Sequence, residues 1–283
     1  MEINGTELAL KIRENLKQKI NTELIAKGKP APHLAVVLVG ENPASEVYVS
    51  GKIKACKEAR IISEVIKLEY NIPQKVLNDT IKALSKNKDV NGILLQLPLP
   101  MGLNANEAIN LIDPAKDVDG LTDINLGRLL ANNPAAIKSC TPGGVIEMFD
   151  AYGINLAGKN VALINRSLLV GKPLAAMLTN RDATVTVCHT KTADVPAICK
   201  RSDIIISAVG KKNFITADMV KKGAVVIDIG IVKDPITGKL CGDVDFINVK
   251  DKTSFITPVP GGVGPMTIAM LLKNTVDIAC RKN

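Results

Sequence analysis

The chain has 283 residues, enough for one large or two ordinary domains, and its 46% hydrophobic content argues against a disordered protein. With no Trp, three Tyr and four Phe, the core must be aliphatic, and a protein that stacks nucleic-acid bases is not expected. The net charge is +8, but no basic run stands out in the sequence. The charge therefore fits either scattered, solvated lysines or a surface that attracts phosphates or carboxylates.

Cysteines and histidines do not form a metal-binding pattern. The six cysteines include no Cys-x-x-Cys pair and only two histidines are present, so no metal site is predicted. Thiols within apolar runs are typical of reduced cytoplasmic proteins. The N-terminus lacks the order of a secretory signal and no apolar run reaches ~20 residues, so we expect a cytoplasmic protein without membrane contact.

The first half of the chain alternates helices and strands. Apolar periodicity predicts helices over residues 7–26, 44–59 and 74–85, and strands over residues 33–40, 61–68 and 92–100. A repeated strand–helix pattern indicates a parallel sheet with covering helices.

The helix predicted over residues 44–59 carries Lys52 in the middle of its apolar face. A lysine at such a position usually extends to solvent or pairs with a carboxylate. The alternative is a lysine in a ligand cleft, where loss of water prepares it for proton transfer. Position alone leaves both interpretations open. Tyr48 lies one turn earlier on the same face and can line the same pocket.

Gln96 is the one polar residue inside the apolar segment "GILLQLPLP". A buried amide needs hydrogen-bond partners, and the carboxyl ends of parallel strands face the ligand crevice. We therefore expect Gln96 and Lys52 to meet in one cleft.

The segment "KDVDGLTDIN" holds Asp117, Asp119 and Asp123. One interpretation is a turn in which Asp side chains bond to nearby backbone. A calcium loop does not fit, because the ligand spacing and the late Glu are absent. The other interpretation is a carboxylate that recognises a ligand with adjacent N–H donors.

A second alternation of strands and helices follows "CTPGG", where Thr141 is predicted to cap a helix and Pro142 to lie in its first turn. The predicted strands cover residues 160–165, 183–188, 203–210 and 223–230, and the helices begin near residues 171, 193 and 216, with a last helix over 266–280.

We predict an α/β protein of two domains. Residues 1–139 form a substrate domain that the C-terminal helix 262–283 completes, and residues 140–261 form a Rossmann-type domain with a parallel sheet.

The segment "NRSLLVG" connects a predicted strand to a helix, where a dinucleotide-binding fold places its glycine-rich loop. Asn165 stands at the position of the first glycine, and asparagine tolerates a positive φ better than most residues. The loop alone does not distinguish a nucleotide site from an ordinary strand–helix turn.

The next predicted strand ends in "CHTKT" rather than in the carboxylate that binds the ribose of NAD. Together with Arg166, this donor-rich segment favours a 2′-phosphate and therefore NADP. His189 fits either a phosphate contact or a packing role.

Eight segments, which together extend over the whole chain, occur in the order of one known family. They are "NPASEVYVSGKIKAC", "GILLQLPLP", "KDVDG", "CTPGGV", "NRSLLVGKP", "VTVCHTKT", "GDVDF" and the Gly/Pro-rich "TPVPGGVGPMT". The chain thereby resembles the bifunctional methylenetetrahydrofolate dehydrogenase/methenyltetrahydrofolate cyclohydrolase family. The resemblance implies NADP-dependent oxidation of 5,10-methylenetetrahydrofolate, hydrolysis of the methenyl product to 10-formyltetrahydrofolate, and a homodimer that binds a reduced folate and no nucleic acid.

The resemblance also implies roles for individual residues. The catalytic residues are Lys52, Gln96, Tyr48 and Asp119, with Lys52 moving the proton, Gln96 orienting it, Tyr48 stacking on the folate and Asp119 anchoring the pterin. Further folate contacts are Leu95, Leu97, Pro260, Gly261, Gly262, Val263 and Gly264. The cofactor contacts are Asn165, Arg166, Ser167, His189, Thr190 and Ile231.

The chain departs from the family pattern at Asn165, where the family usually has Gly, and at Ser139 and Gly143 around "CTPGG". Two other functions are compatible with parts of the sequence. An NADP-dependent dehydrogenase of another small substrate would have no use for the Lys52, Gln96 and Asp119 set. A non-catalytic folate- or nucleotide-binding module would tolerate loss of Lys52.

Overall fold

A computed structural model describes residues 1–281, apart from the side chain of Ala44, as two α/β units. The helices are α1 (Gly5–Lys19), α2 (Pro43–Glu58), α3 (Gln74–Lys86), α4 (Ala105–Ile109), α5 (Asp123–Leu130), α6 (Cys140–Ala151), α7 (Gly171–Thr179), α8 (Val195–Arg201), α9 (Phe246–Val249) and α10 (Val263–Arg281). The strands are β1 (His33–Val39), β2 (Ile62–Leu68), β3 (Gly92–Leu95), β4 (Asn160–Ile164), β5 (Thr184–Cys188), β6 (Ile204–Ser207), β7 (Ala224–Asp228), β8 (Val232–Lys233), β9 (Leu240–Cys241) and β10 (Thr253–Ile256).

The first unit contains residues 11–128, 134–138 and 268–281. Its sheet is parallel, with strand order β2-β1-β3 and Val36 of β1 paired with both Val65 and Leu94. The central strand β1 is covered on both faces, which explains its continuous apolar sequence. We refer to this part as the lysine unit, because it contains Lys52.

Two elements predicted in the first half of the chain differ in the structure. The strand predicted over residues 92–100 stops at Leu95, because Pro98 and Pro100 have no N–H to donate to a neighbouring strand. The helix predicted over residues 7–26 is α-helical only as far as Lys19, and one π turn (Ile20–Leu24) and one 3₁₀ turn (Ile25–Lys27) follow it.

The second unit contains residues 1–10, 129–133 and 139–267. Its five-stranded parallel sheet has the order β10-β7-β6-β4-β5, so the chain order reverses between β4 and β6. In doubly wound sheets, ligands bind in the crevice at this switch point, outside the carboxyl ends of the strands. We call this part the switch-point unit.

The structure corrects three sequence-based predictions about the switch-point unit. Strand β10, at the sheet edge, was not predicted. The helix expected near residue 216 is only a 3₁₀ turn, Ala217–Met219. Thr141 does not cap α6. Ser139 takes the cap position with an extended backbone, and Thr141 lies inside the helix with its Oγ1 3.0 Å from Thr267 Oγ1.

The N-terminal residues pack differently from the expected division. Residues 1–10 belong to the switch-point unit, because the first residues bond along β10: the Met1 amino group donates to Ser254 O at 2.7 Å, and Ile3 N donates to Ile256 O at 2.8 Å.

The last helix, α10, begins at Val263, between the two predicted starts at residues 262 and 266, and is anchored in the lysine unit over residues 268–281. There Asn274 Nδ2 donates to the carbonyl oxygens of Val118 at 2.8 Å and Lys138 at 2.9 Å. Among residues 1–281, no helix combines the length and apolar character required to cross a bilayer.

Candidate active site

Lys52 and Gln96 meet at the carboxyl end of the first sheet. Lys52 Nζ donates to Gln96 Oε1 at 2.9 Å, and Gln96 Nε2 donates to the carbonyl of Leu97 at 2.6 Å. Gln96 is only 9% exposed, and its backbone N–H continues the sheet by donating to Val37 O at 2.9 Å. The amide oxygen of Gln96 therefore holds the lysine at this position and, unlike a carboxylate, adds no negative charge of its own that would stabilise the ammonium form.

Helix α2 presents Lys52 because its start is defined by Asn42, whose Oδ1 accepts from Ser45 N at 3.1 Å, and by Pro43 in the first turn. The apolar face predicted for this helix is buried at one end and exposed at the other. Cys56 is fully buried, whereas Tyr48 is 48% exposed one turn before Lys52. An exposed aromatic ring beside an amine can stack on a planar ligand.

Cys56 lies one turn after Lys52. Burial raises the pKa of the Cys56 thiol to about 12, although the neighbouring charge of Lys52 acts in the opposite direction. The thiol is therefore neutral, and its role is packing rather than nucleophilic chemistry.

Asp117 and Asp119 have different environments in the loop after α4. The carboxylate of Asp117 is buried and accepts hydrogen bonds from Thr122 N at 2.8 Å and from Asn125 Nδ2 at 2.9 Å. Asp117 also forms a parallel bridge with Ile93 of β3. The turn-forming role belongs to Asp117, whereas Asp119, two residues later, is half-buried.

Asn165 acts differently from the sequence-based prediction. Its φ is not positive, so it does not substitute for the backbone freedom of a glycine. Instead its side chain organises the loop: Oδ1 accepts from Ser167 N at 2.8 Å and from Gly171 N at 3.1 Å, and Nδ2 donates to Ala208 O at 2.5 Å. Because Asn165 follows β4 and Ala208 follows β6, this carboxamide spans the switch point of the sheet.

Gly171 is required at the start of α7 for close approach. A Cβ at this position would lie 2.4 Å from Asn165 O and 2.6 Å from Arg166 Cα, well inside van der Waals contact. The late glycine of "NRSLLVG" therefore lets the helix N-terminus pack closely on the loop, where Gly171 N donates to Asn165 Oδ1 and Lys172 N donates to Ser167 O.

The segment after β5 forms a turn beside this loop. Ile164 and Cys188 are paired at the ends of β4 and β5, so Asn165 and His189 begin neighbouring loops. Within the turn, His189 Nδ1 accepts from Lys191 N at 3.2 Å. Arg166 and Thr190 are exposed. This donor set without a carboxylate fits the 2′-phosphate of NADP better than a free ribose hydroxyl.

Two positions in the Gly/Pro-rich segment after β10 require glycine, one because of its backbone conformation and one because of a close contact. Gly261 has φ +101°, and a Cβ on Gly262 would lie 2.4 Å from Pro258 O. Thr6 N donates to Gly261 O at 3.0 Å, so the N-terminal segment holds this loop in place. A Cβ on Gly264 would lie 3.9 Å from Ile231 Cδ1, which brings two predicted contact residues close together.

The sequence predicts no role for Asp228, at the end of β7, or for Asp243, in "GDVDF". Both carboxylates are buried at the carboxyl edge of the second sheet, with exposures of 3% and 0%. Burial raises the pKa of Asp228 to about 6, against the effect of three backbone N–H donors. The sequence signals for this pair are weak: Asp228 ends an apolar strand, and Asp243 follows a glycine. Within residues 1–281, no cluster of His, Cys, Asp and Glu side chains is arranged to hold a metal ion.

Comparison with known proteins gives consistent results for both units. The family model for the tetrahydrofolate dehydrogenase/cyclohydrolase catalytic domain matches residues 3–119, and the model for its NAD(P)-binding domain matches residues 139–283. The bifunctional protein FolD of Thermodesulfovibrio yellowstonii is 54% identical over 277 residues, which are 98% of this chain and 96% of that protein.

Two solved structures show the same fold. The bifunctional FolD enzyme of Campylobacter jejuni aligns with a TM-score of 0.98 and 46% identity over 100% of this chain and 99% of that chain. FolD of Trypanosoma brucei, in complex with NADP and an inhibitor, aligns with a TM-score of 0.95 and 34% identity over 100% of this chain and 98% of that chain.

The fold and the arrangement of polar residues define a two-domain α/β protein with a nucleotide-binding type of parallel sheet. With both family models matched and a relative 54% identical over nearly its whole length, the chain belongs to the tetrahydrofolate dehydrogenase/cyclohydrolase family.

Proposed function

We propose that this protein carries out two consecutive steps on one reduced folate. NADP⁺ oxidises 5,10-methylenetetrahydrofolate to the 5,10-methenyl cation, and water then converts the cation to 10-formyltetrahydrofolate. The observation that carries the proposal is the Lys52–Gln96 pair, with 2.9 Å between Nζ and Oε1, in a chain of this family.

The hydrolytic step needs a group that moves protons. Water adds to the methenyl carbon and loses one proton. The bond from this carbon to one ring nitrogen then breaks as that nitrogen is protonated and the remaining hydroxyl proton leaves, which forms the formyl C=O and releases one proton overall. Lys52 is the proton carrier and Gln96 holds its amine in place. The neutral Gln96 partner matters, because a carboxylate in its position would hold the proton on Lys52.

The folate occupies the surface around Lys52 in this proposal. Tyr48, exposed one turn before Lys52, stacks on the planar part of the substrate, and Asp119 accepts hydrogen bonds from the adjacent N–H groups of the pterin. Leu95 and Leu97 flank Gln96 and supply apolar contact. The loop residues Pro260, Gly261, Gly262, Val263 and Gly264 border the same substrate.

NADP is held at the switch point of the second sheet, and when bound it supplies the hydride acceptor. Arg166, His189 and Thr190 are the donors for its 2′-phosphate. Asn165 shapes the loop, and Ser167 and Ile231 line the crevice. In this proposal residues 1–139 with helix 262–283 serve the folate, and residues 140–261 serve the cofactor. This division is by function, because residues 1–10 pack with the switch-point unit.

The dehydrogenase step is tested with purified protein, 5,10-methylenetetrahydrofolate and either NADP⁺ or NAD⁺ in parallel. We expect reduced cofactor and the absorbance of the methenyl product with NADP⁺, and a lower kcat/KM with NAD⁺, because the donors near Arg166 have no phosphate to bind. No reduction of either cofactor would refute the dehydrogenase assignment, and equal efficiency would refute the NADP preference.

The role of Asn165 is tested by Asn165→Ala. The change removes three hydrogen bonds that order the loop between β4 and α7, so we expect KM for NADP⁺ to rise about tenfold. KM for the folate and the rate of methenyl hydrolysis should stay near the wild-type values. Asn155→Ala is a matched control, because Asn155 accepts a bond from Ala157 N in a surface turn before β4. An unchanged KM for NADP⁺ would contradict the assigned role.

We also propose that the protein is a cytoplasmic homodimer. Strand β2 is an edge strand, and Ile62 on β2 and Val47 on α2 are 53% and 72% exposed, which fits a face that a second copy covers. The free cysteines fit a reducing compartment. Sedimentation should give twice the chain mass, and replacing Ile62 by Lys should shift the protein towards the monomer.

A further inference from the structure

Asp243 connects the chain after β9 to the loop after β6. Its Oδ2 accepts from Ser207 Oγ at 2.8 Å and from Val209 N at 2.7 Å, and its Oδ1 accepts from Lys211 N at 2.8 Å. The side chain is fully buried, so these three donors replace water around the charge.

Asp228, the last residue of β7, in turn fixes the segment that carries Asp243. One oxygen of Asp228 accepts from Gly230 N at 2.9 Å and from Asp243 N at 3.0 Å, and the other accepts from Val244 N at 2.8 Å. Through Gly230, the same carboxylate determines the path of the loop after β7.

The packing of this cluster depends on two glycines. A Cβ on Gly230 would lie 2.2 Å from Asp243 Oδ1, and a Cβ on Gly242 would lie 2.0 Å from Asp228 Oδ2. Neither glycine has a positive φ, so both are needed for close approach to a carboxylate rather than for backbone conformation.

We propose that Asp243 is a positioning residue for the NADP-dependent step. Its buried carboxylate fixes the loop 208–211, and Asp228, which accepts from Asp243 N, fixes the loop 229–231 through Gly230 N. Both loops leave the carboxyl ends of β6 and β7, the edge at which a doubly wound sheet binds its ligand. This inference rests on the proposed function only in taking NADP as the ligand at that edge.

The placement separates this role from general support of the fold. The apolar core of the sheet lies between the strands and their helices, for example at Ile205 and Val226, whereas the donors to Asp243 come from the turn beyond β6. Removing the carboxylate leaves the N–H groups of Val209 and Lys211 without an acceptor, and the loop must rearrange to reach water. The Lys52–Gln96 pair lies in the lysine unit, whereas Ser207, Asp228 and Asp243 lie in the switch-point unit.

The test compares Asp243→Asn, Ser207→Ala and the control Asp245→Asn, whose carboxylate bonds to Asn248 Nδ2 at 2.7 Å on α9. Asparagine at position 243 has the same shape as aspartate, but its side chain has one acceptor oxygen instead of two. It therefore cannot accept all three hydrogen bonds that the two oxygens of Asp243 accept. For each variant, kcat and KM for NADP⁺ and for methylenetetrahydrofolate are measured. Hydrolysis of methenyltetrahydrofolate is measured without NADP.

We expect Asp243→Asn to raise KM for NADP⁺ at least about tenfold and Ser207→Ala to raise it less, with methenyl hydrolysis within about twofold of the wild type. Asp245→Asn should match the wild type in every assay. If Asp243→Asn does not fold, as judged by circular dichroism, Ser207→Ala decides the question. Parallel loss of both activities, or an unchanged KM for NADP⁺, would overturn the inference. Failure of the wild type to reduce NADP⁺ would instead count against the proposed function.

Discussion

Replacing Lys52 by glutamine is expected to abolish hydrolysis of methenyltetrahydrofolate while the protein remains folded. Glutamine is similar in length and can still bond to Gln96, but it cannot carry a proton between water and a ring nitrogen. Proton transfer by a positioned side chain contributes about 10²–10⁴-fold to a rate, so a loss of about 10³-fold is expected. The measurement is the decay of methenyl absorbance, with circular dichroism to verify folding.

The matched control for Lys52 is Lys82→Gln, which changes an exposed lysine on α3 and should leave the hydrolysis rate unchanged. A second variant, Gln96→Glu, keeps the hydrogen bond to Lys52 but adds a counter-charge. It should slow hydrolysis at neutral pH, because a carboxylate stabilises the protonated amine. Hydrolysis that persists in Lys52→Gln would remove this lysine from its assigned role.

Asp119→Ala is expected to reduce both activities, because both steps use the same bound folate. A carboxylate that accepts two adjacent N–H groups makes charge-assisted hydrogen bonds, and their loss should lower kcat/KM for the folate by about 100-fold in each assay. Binding of NADPH, followed by its fluorescence, should be unchanged, because Asp119 belongs to the lysine unit.

Asp123→Asn is the control for Asp119. It lies four residues later, and its carboxylate accepts from Asn110 Nδ2 at 3.0 Å at the start of α5. If Asp119→Ala lowers only one activity, or if Asp123→Asn has the same effect, the pterin-anchoring role of Asp119 is wrong.

The order of strands and helices could be predicted from the sequence where apolar periodicity is strong. The central strands read as continuous apolar runs because both faces are covered, and the lengths of α2 and α3 follow their apolar faces. Strand β10 could not be predicted from pattern alone. Its sequence, Thr253–Ile256, is short and only partly apolar, and it joins the sheet through pairing with β7.

The meeting of Lys52 and Gln96 could be predicted because each residue breaks an apolar pattern at a position whose direction is known: one on a helix face and one at a strand end. The structure places their side chains within hydrogen-bond distance. The role of Asn165 could not be predicted in the same way. Its partner Ala208 lies 43 residues further along the chain and becomes a neighbour only when β6 pairs with β4.

The buried carboxylates of Asp228 and Asp243 illustrate the same limit. An aspartate after an apolar strand usually faces solvent, and nothing local distinguishes one that accepts three hydrogen bonds in the interior. The donors to Asp243 come from residues 32 to 36 positions earlier in the chain. The proposed effect of Asp228 and Asp243 on cofactor binding therefore depends on the tertiary structure. The sequence motifs that contain the two residues do not reveal it.

The central claim is that one chain performs both steps on one folate. The most direct test supplies 5,10-methylenetetrahydrofolate labelled with ¹³C at the bridging carbon, together with NADP⁺, to the purified protein, and follows the label by NMR while NADPH is measured by absorbance. The label should move from the methylene to the formyl position of 10-formyltetrahydrofolate, with one NADPH formed for each formyl group. Two results would contradict the account. One is formation of NADPH while the labelled methenyl cation is hydrolysed no faster than without enzyme. The other is no formation of NADPH at all.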